Sequence, residues 1–237
     1  MSGERGDEAF ISRRMESLRR SVAEAAASCG RSAEDIQVVF VSKTVPEAWI
    51  LEAARAGARD FGENRVQELL AKKKNLLPEL RWHLIGRLQT NKVRDIIGET
   101  VLIHSLDRPD LAREIENQAR KKKLSRVPCL IQVNSSGEKT KAGFDFGEVE
   151  AFTAGLAADS LIEIQGLMTI GPYPASETEI RKCFRETRML REDLKIKFPE
   201  KNWDILSMGM SGDYRIAIQE GATLLRIGTA VFGERKK

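Results

Sequence analysis

Cysteine is scarce in this chain: Cys29, Cys129 and Cys183 lie far apart among 237 residues, and none stands in a Cys-x-x-Cys pair. That spacing indicates neither a disulfide framework nor a zinc site. Long apolar runs are missing too, since no uninterrupted stretch approaches the roughly 18 residues that a membrane helix requires. The opening "MSGERGDEAFISRRMESLRR" has no apolar core of the kind a secretory signal carries, which points to the cytoplasm. Pro/Ser-rich linkers and low-complexity tracts are absent, and with them any sign of a second domain. Charge of one sign is in small excess only, a net +4, and no recognition motif or aromatic-basic stripe accompanies it, so nucleic acid is not an expected partner. The basic runs Lys72-Lys73-Lys74 and Lys121-Lys122-Lys123 fall where helices are expected to end, and they read as solvated cations meeting the helix dipole.

The chain does hold enough apolar residues for a large core. Ile11, Met15, Leu18, Val22 and Ala25 recur at spacings of four, three, four and three, which predicts an amphipathic helix over about 8–28. Short β-rich runs then alternate with helical patterns. The runs read as strands at 38–43, 60–63, 81–86, 101–106, 128–134, 162–169, 204–209 and 224–232. Between them, Pro46 and Glu47 open a helix that stops near Gly57, Asp107 is placed to cap one with Pro109 in its first turn, and Ser176 caps a long one. Strict alternation with buried, non-alternating strands predicts a parallel sheet, and eight such units predict a single closed (β/α)8 (TIM) barrel over about 36–233, one domain in all. Only seven helices follow strands, so the N-terminal helix is expected to cover the wall where the eighth is missing.

Active sites of such barrels lie at the C-terminal ends of the strands. Lys43 ends the first. By the two-residue period it shares a face with Val39 and Val41, so it is either an exposed strand terminus or an amine leaning over the mouth, with aliphatic walls withdrawing it from water. After the seventh strand, Gly209, Ser211 and Gly212 form a small turn into the helical pattern Tyr214 to Gln219, where free N–H groups and a hydroxyl suit an anion. After the eighth, Gly228 and Thr229 offer a second close backbone approach, and these two loops are the usual phosphate site of the architecture. Arg226 lies on the same strand face as Gly228 and needs an acceptor, because an unpaired buried charge costs several kcal/mol. One ligand answers all three features: pyridoxal 5'-phosphate (PLP), whose aldehyde suits Lys43 and whose ring nitrogen suits Arg226.

The segments "FVSKT", "FGENRVQE", "WHLIGRLQTNK", "LSMGMSGD" and "LLRIGTAVFG" occur in order between about 36 and 233. In them the chain resembles the pyridoxal phosphate homeostasis protein family, single-domain relatives of the alanine racemase barrel. The resemblance implies a (β/α)8 barrel with PLP held as an aldimine on Lys43, Arg226 near the pyridine nitrogen, and Met208, Ser211, Gly212, Gly228 and Thr229 around the cofactor. It also implies buffering or delivery of the cofactor within vitamin B6 homeostasis, without established turnover, and PLP-dependent apo-enzymes as recipients. Two places depart from the commoner wording: Gly171 stands where Ile-Pro is more usual, and Arg87 where proline is.

Asn64 and His83, near the ends of strands two and three, could face the cofactor; the alternatives are a helix cap for Asn64 and a satisfied core histidine for His83. His104 shares that ambiguity and is left outside the site, and Lys141 reads as a solvated loop lysine that could also hold a second carbonyl or phosphate. The opposing functional reading is a PLP-dependent amino-acid racemase. Racemisation needs a second acid/base opposite the lysine, and the chain has only two tyrosines, Tyr173 and Tyr214, to offer. A Schiff-base aldolase would share the lysine and phosphate features but leave Arg226 without a ring nitrogen to meet. No metal is expected, and a closed barrel with charged helices suggests a monomer.

Overall fold

The computed structural model describes residues 9–135 and 142–234. Eight parallel strands close into a barrel in chain order: β1 (Gln37–Val41), β2 (Asp60–Glu63), β3 (Arg81–Leu84), β4 (Leu102–Leu106), β5 (Val127–Val133), β6 (Ile162–Thr169), β7 (Ile205–Ser207) and β8 (Leu224–Ile227). β8 pairs with β1, placing Leu224 beside Gln37 and Arg226 beside Val39. The expected barrel is therefore present, with β1, β3, β7 and β8 each ending two or more residues earlier than the sequence suggests. β3 stops at Leu84, and the apolar stretch after Gly228 is helical over Thr229–Phe232, because a short apolar run has no period that tells a strand from a buried helix.

The helices are α1 (Phe10–Ala27), α2 (Glu47–Arg55), α3 (Val66–Asn75), α4 (Val93–Ile96), α5 (Pro109–Lys121), α6 (Phe146–Ala154), α7 (Glu177–Lys197), α8 (Tyr214–Gln219) and α9 (Thr229–Phe232). Among the described residues none is long and apolar enough to cross a membrane. Ser176 caps α7 as expected: its hydroxyl accepts from the Glu179 N–H while Glu179 takes the Ser176 N–H. Asp107 does not cap α5. The N-cap is Arg108, and the buried Asp107 carboxylate instead receives the Arg108 guanidinium and, at 3.1 Å, Arg87 Nε.

The helix after β8, α9, is a single turn of four residues, and α1 covers the wall that a full eighth helix would. Its stripe of Ile11, Met15, Leu18, Val22 and Ala25 is buried. Polar ties bind it to three neighbours: the Ile11 N–H to Glu52 Oε1 of α2 (3.0 Å), Ser21 Oγ to the Tyr214 hydroxyl of α8 (2.7 Å), and Arg14 Nη1 to the Thr229 carbonyl of α9 (3.2 Å). The seam between β8 and β1 is thus covered by the first helix of the chain. Cys29, Cys129 and Cys183 are all free thiols. Lys141 lies outside the described residues.

Candidate functional site

β1 ends at Val41, and Ser42 to Val45 make a turn closed by the Val45 N–H on the Ser42 carbonyl at 2.9 Å. Lys43 sits inside it and is exposed, so the expected withdrawal of the amine from water is not met. Its two neighbours are fastened instead. Lys72 Nζ reaches the Ser42 carbonyl at 2.7 Å, Ser42 Oγ donates to Glu63 Oε1 at 2.6 Å, and the Thr44 N–H donates to Glu68 Oε1 at 2.6 Å. Lys72 pairs with both carboxylates, at 2.8 Å to Glu63 and 2.7 Å to Glu68. Burial raises the Glu63 carboxyl against the pull of Lys72 and Ser42, whereas Glu68 is held low because its bonds from Lys72 and Thr44 outweigh its own burial. Lys72 is therefore not the solvated helix-end cation its neighbours suggested; it is buried under the lysine turn.

Above the C-terminal ends of the strands lie two adjoining cavities that share Val41, Lys43, Met210 and Arg226. One, of about 520 Å³, is walled by Ser211, Gly212, Asp213, Gly228, Thr229 and the segment around Gly171. Ser211 Oγ there accepts the Gly228 N–H at 3.2 Å and the Ala230 N–H at 3.1 Å, so two backbone donors and a hydroxyl converge at one point. Gly171 packs closely here, since a Cβ would stand 3.2 Å from Asp213 Oδ2 and 3.3 Å from Phe184. The other cavity, of about 380 Å³, is walled by Asn64, Arg87, Gln132, Asn134 and Ser135. Asn64 lines it and gives no side-chain cap to α3, whose N-cap is Arg65. Gly86 is required here, because a Cβ would fall 2.4 Å from the Asn64 carbonyl oxygen.

Arg226 is buried under both cavities and already has acceptors. Its Nη1 donates to Ser207 Oγ at 2.7 Å and its Nη2 to the Thr169 carbonyl at 2.8 Å. Contrary to the expectation from sequence, this guanidinium needs no ligand to be paired. Burial still pushes it down to about 10, against the pull of Asp213.

Of the nine residues expected around a cofactor, Lys43, Asn64, Ser211, Gly212, Arg226, Gly228 and Thr229 line the paired cavities. His83 does not. It is buried within the barrel, with Nε2 3.0 Å from Asp60 Oδ1 and Nδ1 3.0 Å from His104 Nε2, the satisfied core histidine of the alternative reading. Met208 does not either. Ser207 faces the barrel interior, so its neighbour Met208 points outward into the main core, and Met210 is the methionine that lines the mouth. Gln132, Asn134 and Ser135 went unread, although the strand-end rule that marked Lys43 applies equally to the end of β5.

The family pattern described as "Alanine racemase, N-terminal domain" matches residues 15–236. The chain is 43% identical over 225 residues to the "Pyridoxal phosphate homeostasis protein" of Aquifex aeolicus, covering 94% of this chain and 97% of that protein. Its fold is similar to that of PipY from Synechococcus elongatus, 37% identical, at 94% coverage of this chain and 100% of that one, with a TM-score of 0.85 to the form without PLP and 0.82 to the form with PLP bound. The alanine racemase of Corynebacterium glutamicum, 16% identical, shares the fold at a TM-score of 0.72 over 98% of this chain and 62% of its own.

Proposed function

Because the chain belongs to the pyridoxal phosphate homeostasis protein family, within the alanine racemase N-terminal-domain proteins, we propose that it binds PLP at the barrel mouth and serves in vitamin B6 homeostasis by holding and releasing it. The observation that carries this is the convergence of Lys43, Arg226 and the Ser211 anion cradle on one cavity of about 520 Å³. The residues fit the group. Two backbone N–H groups meet at Ser211 Oγ, whose own proton is free to turn to a phosphate, and the lysine and the guanidinium stand in the same cavity. When bound, the cofactor supplies an electrophilic aldehyde. Lys43 would be the amine that carries it, Ser211, Gly228 and Thr229 would hold the phosphate, and Arg226 would offer an N–H to the ring nitrogen while giving up no proton, which would leave the ring a weak electron sink.

Holding is favoured over racemisation by where the two tyrosines lie. Tyr214 is engaged by Ser21 of α1 on the outer wall, and Tyr173, at the cavity rim, is 90% exposed. Tyr214 is thus occupied outside the mouth, and Tyr173 is held by no packing of the kind that fixes a second acid/base against a substrate. The proposed recipients are PLP-dependent apo-enzymes, the proposed state is a monomer, and the free thiols fit the cytoplasm. Visible absorption after incubation with PLP tests the reading: a protein-bound band, fixed on Lys43 by borohydride and missing in Lys43→Ala, is expected. A wild-type protein that stays colourless overturns it. Sustained conversion of one alanine enantiomer into the other by the loaded protein would overturn the holding role alone.

A further inference from the structure

Beneath the mouth the barrel interior is not wholly apolar. Five side chains cross it from strand to strand, Asp60 (β2), His83 (β3), His104 (β4), Ser207 (β7) and Arg226 (β8), and all five are buried. Successive contacts are hydrogen-bond distances: Asp60 Oδ1 to His83 Nε2 3.0 Å, His83 Nδ1 to His104 Nε2 3.0 Å, His104 Nδ1 to Ser207 Oγ 3.1 Å, and Ser207 Oγ to Arg226 Nη1 2.7 Å. Arg81 anchors the far end on Asp60, with Nε 2.8 Å from Oδ1.

The two ends are fixed in kind. Arg226 can only donate. Asp60 can only accept, since burial works to raise its carboxyl but the bonds from His83 and Arg81 outweigh it and bring it down to about 2. A neutral imidazole has one N–H and one acceptor nitrogen. One arrangement then satisfies every group: Arg226 donates to Ser207, Ser207 to His104 Nδ1, His104 Nε2–H to His83 Nδ1, and His83 Nε2–H to Asp60. The opposite direction in the middle would require a cationic His83 in a barrel that already holds Arg226. It would also leave the Ser207 hydroxyl proton without an acceptor among the described residues. Burial holds the His104 ring well below the usual histidine range, with the Arg226 charge adding to it, in keeping with its being neutral.

We propose that Asp60, His83, His104 and Ser207 are positioning residues, joined in a line whose protons all point toward Asp60, and that this ordered line holds the Arg226 guanidinium in the place from which it would donate to the cofactor's ring nitrogen. With Nη1 committed to Ser207 and Nη2 to the Thr169 carbonyl, the guanidinium cannot swing, and its remaining N–H groups are those available to the mouth. The guanidinium that would resist ring protonation is thus held from the base of the barrel, with Asp60 four hydrogen bonds away from it. This rests on the PLP reading for its purpose, though not for the line itself.

The chain has only two histidines, so nitrogen NMR of protein labelled in its histidine rings reads the line without cofactor. At pH 7.5 both rings are expected neutral and in the Nε2–H form; an Nδ1–H ring or an imidazolium at either position overturns the proposal. Ser207→Ala cuts only the last link. It is expected to leave both rings as they are while speeding PLP release about tenfold, the scale of one lost bond to a charged group; an unchanged release rate overturns the proposal. Asp60→Asn removes the charge that sets the direction and is expected to mix the tautomers. If that variant does not fold, the wild-type spectrum and Ser207→Ala decide. Failure of the PLP reading looks different: wild-type protein with both rings as expected but no bound PLP.

Discussion

Thr44 carries a φ of +59°, a left-handed conformation that a β-branched residue adopts only under constraint. The constraint is the Glu63–Lys72–Glu68 cluster, which ties down the residue on each side of Lys43, so the free amine is presented by a turn that cannot relax. Removing the cation leaves Glu63 buried with no partner of opposite charge, and one of its oxygens, Oε2, already has no hydrogen bond. Lys72→Met is therefore expected to cost about 3 kcal/mol or more, measured by urea unfolding, and to slow borohydride trapping of PLP on Lys43 as the turn loosens. A second expectation concerns pH. The His104 ring is buried and held well below its ordinary 6.5, so the unfolded chain takes up a proton there that the folded chain refuses. Stability from this group is complete above pH 6.5 and falls below it, by about 1.4 kcal/mol per pH unit. Glu63, raised by burial, works the other way above 4.5, so the comparison with His104→Asn between pH 6.5 and 5.5 isolates the histidine. An equal pH slope in that variant would show that the ring is not the source.

Among the elements, α1 has the most to lose. Ile11, Met15, Leu18 and Val22 are each buried, and at roughly 1.5–3 kcal/mol per large side chain they approach the whole stability of an ordinary domain, about 5–15 kcal/mol. A chain beginning after residue 28 is expected to show no cooperative thermal transition, and Met15→Ala to lose about 2–5 kcal/mol; an unaltered melting curve for the truncated chain would mean that α1 is not the eighth wall. The stripe that identifies this helix was plain in the sequence because a four-three spacing has one structural meaning. Other elements were legible for similar reasons: the Gly209–Gly212 turn ran into a helix at Tyr214 as read. Less was recoverable where period failed. The stretch after Gly228 is apolar throughout and read as strand, and the facing of Met208 depended on knowing that Ser207 turns inward. Lys43 and Ser211 were visible because a strand-end rule needs only local sequence. The Asp60-to-Arg226 line was not, because it joins residues separated by 19 to 103 positions and exists only once the barrel closes.

For the molecule as a whole, the site straddles the place where the barrel closes. Lys43 follows β1, Arg226 lies on β8 and the anion cradle follows β7 and β8, so a ligand held by all three bridges first strand to last and binds only the closed form. Binding to the folded chain alone stabilises it by about 2.7 kcal/mol at a hundredfold excess over the dissociation constant. In a chain of 237 residues that corresponds to a rise in Tm of roughly 5–10 °C. Inorganic phosphate reaches only the cradle and should give a smaller rise; pyridoxal without its phosphate reaches only Lys43 and Arg226 and should also fall short. Lys43→Ala separates the contributions: it removes the covalent hold but leaves the Ser211 cradle and Arg226 intact, so part of the shift with PLP is expected to survive. Thermal scans of the two proteins against the three ligands check this directly. If PLP gives no more protection than phosphate in the wild-type chain, the lysine and the arginine do not act on the same bound molecule as the cradle, and the mouth has to be read as two independent sites.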